Sequence, residues 1–297
     1  MFRVIKNLFS SNLANVLVDG FLSPDFKINR GVLQGSKLGP ILFNLFINNL
    51  LESLNSSQLG ATIGDVYVSA LGFADDIVLV TDCPTIAQKL LNLCKSWANS
   101  NRMAFNTSKC NVMVLNGTRK DIHLKLSNDE LQIVDNYKYL GVTFSSKHIT
   151  NLFKVHFRTM LEKANLRVST IRRFGFRENG LRLTSAVRLY KLLVRPLLEY
   201  CAQSLTYARY SERGSLEAPT GFAKEIEHFQ TQTLKKLINC PRNTPPAIIR
   251  LFCGVEPIVC RLEILKLRYF WRILNCPPDT IRSRILSYRK KKPSHLY

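Results

Sequence analysis

No run of about eighteen unbroken apolar residues occurs in this chain, so the sequence offers no membrane-spanning helix. Its first residues do not read as a secretory signal, because Lys6, Asn7, Ser10, Ser11 and Asn12 interrupt any apolar core. Cysteines paired for metal or redox work are lacking too. Cys83, Cys94, Cys110, Cys201, Cys240, Cys253, Cys260 and Cys276 contain no C-x-x-C pair, and His123, His148, His156, His228 and His295 complete no zinc pattern with them. The expectation is reduced thiols, mostly small core fillers, in an intracellular protein of the nucleus or cytoplasm. There is no internal repeat. Acid is scarce in one part only. Residues 1–100 hold 7 Lys/Arg and 7 Asp/Glu, whereas residues 101–297 hold 35 and 14, which accounts for the whole formal charge of +21. Any single charge run reads first as a solvated helix face, but an excess of this size favours a polyanionic partner.

What the chain does have is apolar material for cores, 46% of its residues, and room for two domains in 297 residues. The most informative stretch is Leu71-Gly72-Phe73-Ala74-Asp75-Asp76-Ile77-Val78-Leu79-Val80. It reads as two short apolar strands joined by a tight corner carrying two adjacent carboxylates. Asp is a poor strand residue, and the two charges repel each other. An Asp-rich turn is the ordinary structural account. A hard cation is the chemical one, since Mg²⁺ prefers one or two carboxylates with phosphate oxygens and water.

A second segment, Gly31-Val32-Leu33-Gln34-Gly35-Ser36-Lys37-Leu38-Gly39-Pro40, holds three glycines and a proline and reads as a loop. Pro40 suits a first helical position, with Ser36 near the helix start. The helix that follows places Ile41, Leu42, Leu45, Phe46, Asn49 and Leu50 on one stripe. A glycine-rich loop before a helix lets backbone approach a phosphate, although alone it is as often a plain turn.

Taken together, Gly31-Val32-Leu33-Gln34-Gly35-Ser36, then Leu38-Gly39-Pro40-Ile41-Leu42-Phe43, then Phe73-Ala74-Asp75-Asp76 resemble reverse transcriptases, most of all those of LINE-type, non-LTR retrotransposons of the jockey kind. Trp97 to Leu115 resembles the segment after the family's Asp-Asp box, and Tyr137-Lys138-Tyr139-Leu140-Gly141-Val142 its primer-grip turn. Gln230 to Pro257 is similar to the tail of such elements. The resemblance implies an RNA-directed DNA polymerase working on an RNA template, a DNA primer and dNTPs with Mg²⁺ or Mn²⁺. It implies Asp75 and Asp76 as catalytic metal ligands. Gln34, Gly35, Phe73 and Ala74 would shape the nucleotide and template side, and Leu140 and Gly141 would hold the primer end. Lys109 matches a basic residue that either donates a proton to pyrophosphate or simply faces phosphate or solvent. The family has a further acidic motif upstream, and nothing before residue 31 resembles it. Asp19 and Asp25 read as turn residues, and Asp65 as lying just before the strand into the box. The expectation is therefore an N-terminally truncated chain without fingers or first acidic motif, inactive alone. No zinc knuckle is visible.

The expected fold is α+β. Residues 1–146 would form a partial right-hand polymerase palm, an antiparallel sheet with helices. Residues 147–210 would form a helical thumb, and residues 222–297 a basic helical C-terminal region. In the palm, Asn15–Val18 and Phe26–Ile28 read as one hairpin about Asp19-Gly20, and Ile122–Leu126 with Leu131–Val134 as another. Tyr137–Phe144 reads as a strand, and Thr85–Asn101 as a helix. In the thumb, Phe153, Phe157, Met160, Leu161, Ala164, Val168 and Ile171 mark the inner face of a long helix. Its outer face carries Arg158, Lys163, Arg167 and Arg172, expected on nucleic-acid backbone. A second helix, through Val187, Tyr190, Leu193, Val194 and Leu197, should bend at Pro196. Residues 210–221 read as a linker, with helices at about 222–240, 246–253, 258–275 and 279–290. The Arg289-Lys290-Lys291-Lys292 run is a frayed basic end or a nuclear address. Two functions remain open: a polymerase region, or a non-catalytic basic nucleic-acid-binding remnant of such an element.

Overall fold

The computed structural model describes residues 2–10, 12–117, 119, 121–147, 152–173, 182–202 and 221–291. Of the expected linker at 210–221, residues 210–220 lie outside what is described and Gly221 begins a helix; Lys292 and the side chains of residues 289–291 also lie outside. The fold is α+β, with short, mostly antiparallel strand pairs among helices. Two compact units divide it: Met1–Thr107 with Ile122–Glu130, and Ser108–Asp121 with Leu131–Tyr297.

The first unit opens with α1 (Phe2–Ser10). A two-tier hairpin follows: β1 (Leu13–Ala14), β2 (Leu17–Val18), β3 (Phe21–Leu22) and β4 (Phe26–Lys27). Asp19 and Gly20 both take positive φ, 49° and 87°, the signature of a two-residue primed turn. That turn pairs β2 with β3 directly, so Phe26-Lys27 moves out to pair with Leu13-Ala14. The sequence expectation of Phe26–Ile28 as the partner of Asn15–Val18 is corrected on that ground.

α2 (Gly39–Ser56) starts with Pro40 in its first turn. Its buried line is Ile47, Leu50 and Leu54, with Phe43 and Leu51 packed alongside. The stripe read from spacing is not the buried line: Leu50 is buried, but Ile41 and Leu45 are 57% and 66% exposed. The helix is apolar around most of its circumference, so periodicity alone does not choose the face; the packed neighbours do. β5 (Ala61–Ile63) and β6 (Val66–Val68) form a hairpin about Gly64-Asp65. β7 (Ala70–Phe73) and β8 (Asp76–Leu79) form the next. α3 (Pro84–Ser100) adds Leu90 and Cys94 to the core, with Ile86, Leu93 and Trp97 half-buried against it. Leu50, Leu54 and Leu90 are fully buried, each contributing about 1.5–3 kcal/mol.

After a 3₁₀ turn at Thr107–Lys109 come β9 (Asn111–Val112), β10 (Lys125–Leu126), β11 (Asp129–Glu130) and β12 (Gln132–Ile133). β10 and β11 form a tight hairpin about Ser127-Asn128, but β12 leaves it to run parallel to β9. The expected longer hairpin, Ile122–Leu126 with Leu131–Val134, is cut short by that tertiary pairing. β13 (Asn136–Tyr139) and β14 (Val142–Ser145) then turn tightly at Leu140-Gly141, so the single strand expected over Tyr137–Phe144 is a hairpin.

The rest of the second unit is helical. α4 (Lys154–Arg173) buries Phe157, Met160, Ala164, Val168 and Ile171, the inner face its spacing predicts. α5 (Leu183–Leu189) passes into a π-helical stretch, Tyr190–Val194, and then α6 (Arg195–Glu199). Pro196 has no N–H to return to the preceding turn, and the wider π turn takes up the mismatch upstream of it. The phase shift buries Leu198, while Leu193 is 44% exposed. α7 (Gly221–Leu237), α8 (Pro246–Cys253), α9 (Ile258–Leu274) and α10 (Ile281–Lys291) follow. All eight cysteines are free; Cys94 and Cys253 are buried and the others half-buried, so fewer fill cores than expected.

One buried amide ties these helices together. Gln230 donates to the Tyr190 hydroxyl at 3.1 Å and to the Glu256 carbonyl at 3.2 Å, and accepts from the Ile258 N–H at 2.9 Å. Tyr190 and Gln230 are fully buried, and burial pushes the phenol well above its usual pKa. Gln230→Leu would leave these groups unpaired, at about 1–3 kcal/mol for each buried group. The expected loss is about 2–4 kcal/mol, read as a lower denaturant midpoint at unchanged slope. A midpoint equal to the parent's would refute the keystone role.

Candidate functional site

The paired carboxylates sit at the β7–β8 corner. Phe73 lies opposite Asp76, leaving Ala74 and Asp75 as the two-residue loop. Ala74 takes φ 51°, a left-handed conformation that costs a non-glycine residue about 1–2 kcal/mol. Directly opposed residues share a face, so the ladder has two unlike sides. Ala70, Ile77 and Leu79 join the core on one side. Phe73 and Asp76 share the open side with Leu71, and Asp75 is exposed at the tip.

Two contacts fix where the corner points. Asn55 of α2 donates to the Ala70 carbonyl at 3.3 Å and accepts from the Ser69 and Ala70 N–H groups at 3.2 Å. Four residues back along α2, Leu51 lies against Gly72, where an added Cβ would meet its Cδ1 at 2.8 Å. β7 therefore runs antiparallel to α2, and the Asp75-Asp76 tip points towards the helix N-terminus. The exposed Gln34-Gly35 loop enters that same end, with Gly35 at φ 86°. Ser36 does not cap the helix; its hydroxyl accepts from the Leu38 N–H at 3.3 Å, and no side chain caps α2. Asp65 lies in the β5–β6 turn.

The donor set at the corner fits one Mg²⁺ completed by phosphate oxygens and water. Among the described residues, no group of three or more His, Cys, Asp or Glu could hold a metal.

The remaining candidates lie in the second unit. Lys109 is exposed at the end of its 3₁₀ turn, its carbonyl accepting from the Tyr137 hydroxyl at 3.5 Å. Leu140 and Gly141 take φ 46° and 81°, a primed turn that the glycine accommodates and the leucine strains. Tyr200, just past α6, donates its hydroxyl to the Leu140 carbonyl at 2.5 Å. A Cβ on Gly141 would meet the Tyr200 ring at 3.1 Å. Behind the hairpin, His156 of α4 accepts from the Thr143 N–H at 3.4 Å; burial, and then Lys163, hold its imidazole below the usual range. Lys147 and Arg119 flank Asp135 at the open end and lower its carboxyl pKa.

On α4, Arg158, Lys163, Arg167 and Arg172 are all exposed. They do not form one row. At about 100° per residue, Arg158 and Arg172 fall within about 40° of each other, while Lys163 and Arg167 lie about 140–180° from Arg158. The helix thus carries basic residues on two edges flanking its buried face.

Residues 2–144 match the reverse transcriptase (RNA-dependent DNA polymerase) family, a span running from α1 into β14. Over 99% of its length the chain is 26% identical to the RNA-directed DNA polymerase from mobile element jockey of Drosophila funebris, and over 96% to that of Drosophila melanogaster. The first half of the chain thus matches the reverse transcriptase family, and nearly its whole length is similar to the polymerases of jockey elements. A Pol polyprotein from a type-2 retrotransposable element of Drosophila melanogaster is 30% identical over 48% of this chain and 14% of that protein. The chain spans 29% and 30% of the length of the two jockey proteins. The family fold is a polymerase palm, in keeping with the α+β first half. No helix among the described residues is long and apolar enough to cross a membrane.

Sequence reasoning missed Asn55, inside the matched span, and Tyr200, beyond it. Asn55 had a faint signal, a polar residue on an apolar helix. Tyr200 had none, because its partners lie 60 residues away. Tyr200→Phe should cost about 1 kcal/mol through the lost hydrogen bond. Gly141→Ala should cost more than about 1 kcal/mol, from positive φ and the ring contact. Because both act on one turn, the double variant should lose less than the sum. Strict additivity in denaturant unfolding would mean that the ring does not pin the turn.

Proposed function

We propose that this chain is the palm and thumb region of a non-LTR retrotransposon reverse transcriptase, serving RNA-templated DNA synthesis in the larger protein. The observation that supports it most is the Phe73-Ala74-Asp75-Asp76 corner, held open on one face and aimed along α2 towards the Gln34-Gly35 loop. Residues 1–146 act as palm, 147–210 as thumb, and 222–297 as a basic helical extension. Asp75 and Asp76 would hold Mg²⁺ or Mn²⁺. Bound there, the metal would supply charge neutralisation on the reacting phosphate oxygens. Gln34, Gly35, Phe73 and Ala74 border the nucleotide and template. Leu140 and Gly141 support the primer end. Lys109 faces phosphate, either as proton donor to the leaving pyrophosphate or as a plain cation. Arg158, Lys163, Arg167 and Arg172 contact backbone without reading sequence.

One observation favours a second reading, a non-catalytic nucleic-acid-binding remnant: among the described residues no third carboxylate joins Asp75 and Asp76. RNA-templated primer extension by a protein of the relatives' full length containing this region separates the two. Extension that Asp75→Asn leaves intact would sink the catalytic assignment.

A further inference from the structure

We infer that the C-terminal half of α9 is a stacking site for single-stranded nucleic acid, with Trp271 as its platform and Arg268 and Arg272 as its phosphate contacts. The inference deepens the reading that the basic part of the chain binds nucleic acid, and it rests on that reading.

α9 changes character halfway. Ile258, Val259 and Leu262 are buried in the helical core. Beyond Glu263 the helix opens: Leu267 is 61% exposed, Phe270 44% and Trp271 65%. An indole left this bare on an ordered helix gives up the burial that Trp normally gains. Arg268 and Arg272 are exposed as well. Arg268 is one turn before Trp271 on the same side, and Arg272 stands on its flank.

Charge selects the occupant. The only acid in α9 is Glu263, which is buried and accepts from Lys266 at 2.9 Å. α10 packs against α9, contains no acid and exposes Arg282, with the exposed Asp279 in the turn between the two helices. An apolar partner face would gain nothing from the exposed Arg268, Arg272 and Arg282, whereas a polyanion is drawn to them. In a duplex the base faces are already stacked on each other. A projecting indole therefore suits a strand with free bases, and positive charge beside aromatic faces is how single strands are held without sequence preference.

The test uses the full chain carrying Trp97→Phe, a change in the core of the other unit that leaves Trp271 as the sole tryptophan. Its emission is followed during titration with a short oligothymidylate and with an abasic phosphodiester strand of equal charge. Oligothymidylate should quench Trp271 and the abasic strand should not. In the parent chain, Trp271→Ala should weaken oligothymidylate binding about 5- to 150-fold with an unchanged melting curve, and Trp271→Phe should restore most of the affinity. Arg268→Glu with Arg272→Glu in the sole-tryptophan chain should weaken binding and quenching together. Binding without quenching, or Trp271→Ala binding like the parent, would overturn the stacking site while leaving nucleic-acid binding intact. No binding to any nucleic acid would overturn both. A Trp271 response to anionic vesicles, or to raised protein concentration, with none to oligothymidylate would assign the face to lipid or to a second copy and overturn the proposal.

Discussion

No primer extension is expected from the 297-residue chain on an RNA template, with either Mg²⁺ or Mn²⁺. In-line transfer to a nucleotide phosphate needs charge neutralised on both the attacking and the leaving oxygen. The corner provides Asp75 and Asp76, both exposed, and among the described residues no third metal-binding side chain stands with them. Mg²⁺ surrenders its waters reluctantly, so two solvent-facing carboxylates hold it weakly until a substrate phosphate joins. In a protein of the relatives' full length that carries this region and extends a primer, Asp75→Asn should reduce the rate by at least about 10²–10³-fold, the cost of removing one preorganised charge-stabilising group. Asp76→Asn should also reduce it, since the ladder puts Asp76 on the open face beside Phe73. Extension by the 297-residue chain that vanishes in Asp75→Asn would overturn this expectation. It would point to a substitute carboxylate, with Asp65 in the neighbouring hairpin turn the first to replace.

What could be read from sequence was local. The Asp75-Asp76 corner and the Gly31–Pro40 loop are contiguous segments whose turn residues define them. The inner face of α4 was equally legible, because Phe157, Met160, Ala164, Val168 and Ile171 stand against a polar remainder. α2 was not, because a helix apolar on several sides carries no phase; Asn55 and Gly72 choose the buried face through tertiary contact. β12 was misassigned for a related reason. Its residues suit the hairpin or a parallel partner equally, and β9, about twenty residues upstream, decides. The π turn before Pro196 was half-legible: the proline announces a fault but not where the chain absorbs it. Tyr200 lay beyond sequence reasoning because a hydrogen bond to a carbonyl leaves no mark on the partner's side chain.

Nucleic-acid binding by the full chain should fall about 10³–10⁵-fold between 50 and 200 mM salt if about 6–10 phosphates are contacted, and should vary little with sequence. The expectation rests on the one-sided charge, since all of the +21 arises after residue 100. Exposed surface cations that form no ion pair are free to displace counterions. Among the described residues, Arg158, Lys163, Arg167 and Arg172 appear in no salt bridge, unlike Arg195, Arg250 and Arg261, which are held by Glu199 and Glu227. Changing the four to Glu should weaken binding to every sequence alike and reduce the salt slope by about one per contact removed. The two edges of α4 make a sharper test. If one strand follows one edge, reversing Arg158 with Arg172 and reversing Lys163 with Arg167 will have unequal effects. A duplex or hybrid straddling the helix would feel both. Reversing Arg250, which is committed to Glu227, should leave the salt slope unchanged while lowering stability, which separates lost binding from lost folding. Binding indifferent to salt, or untouched by all four reversals, would remove α4 from the interface.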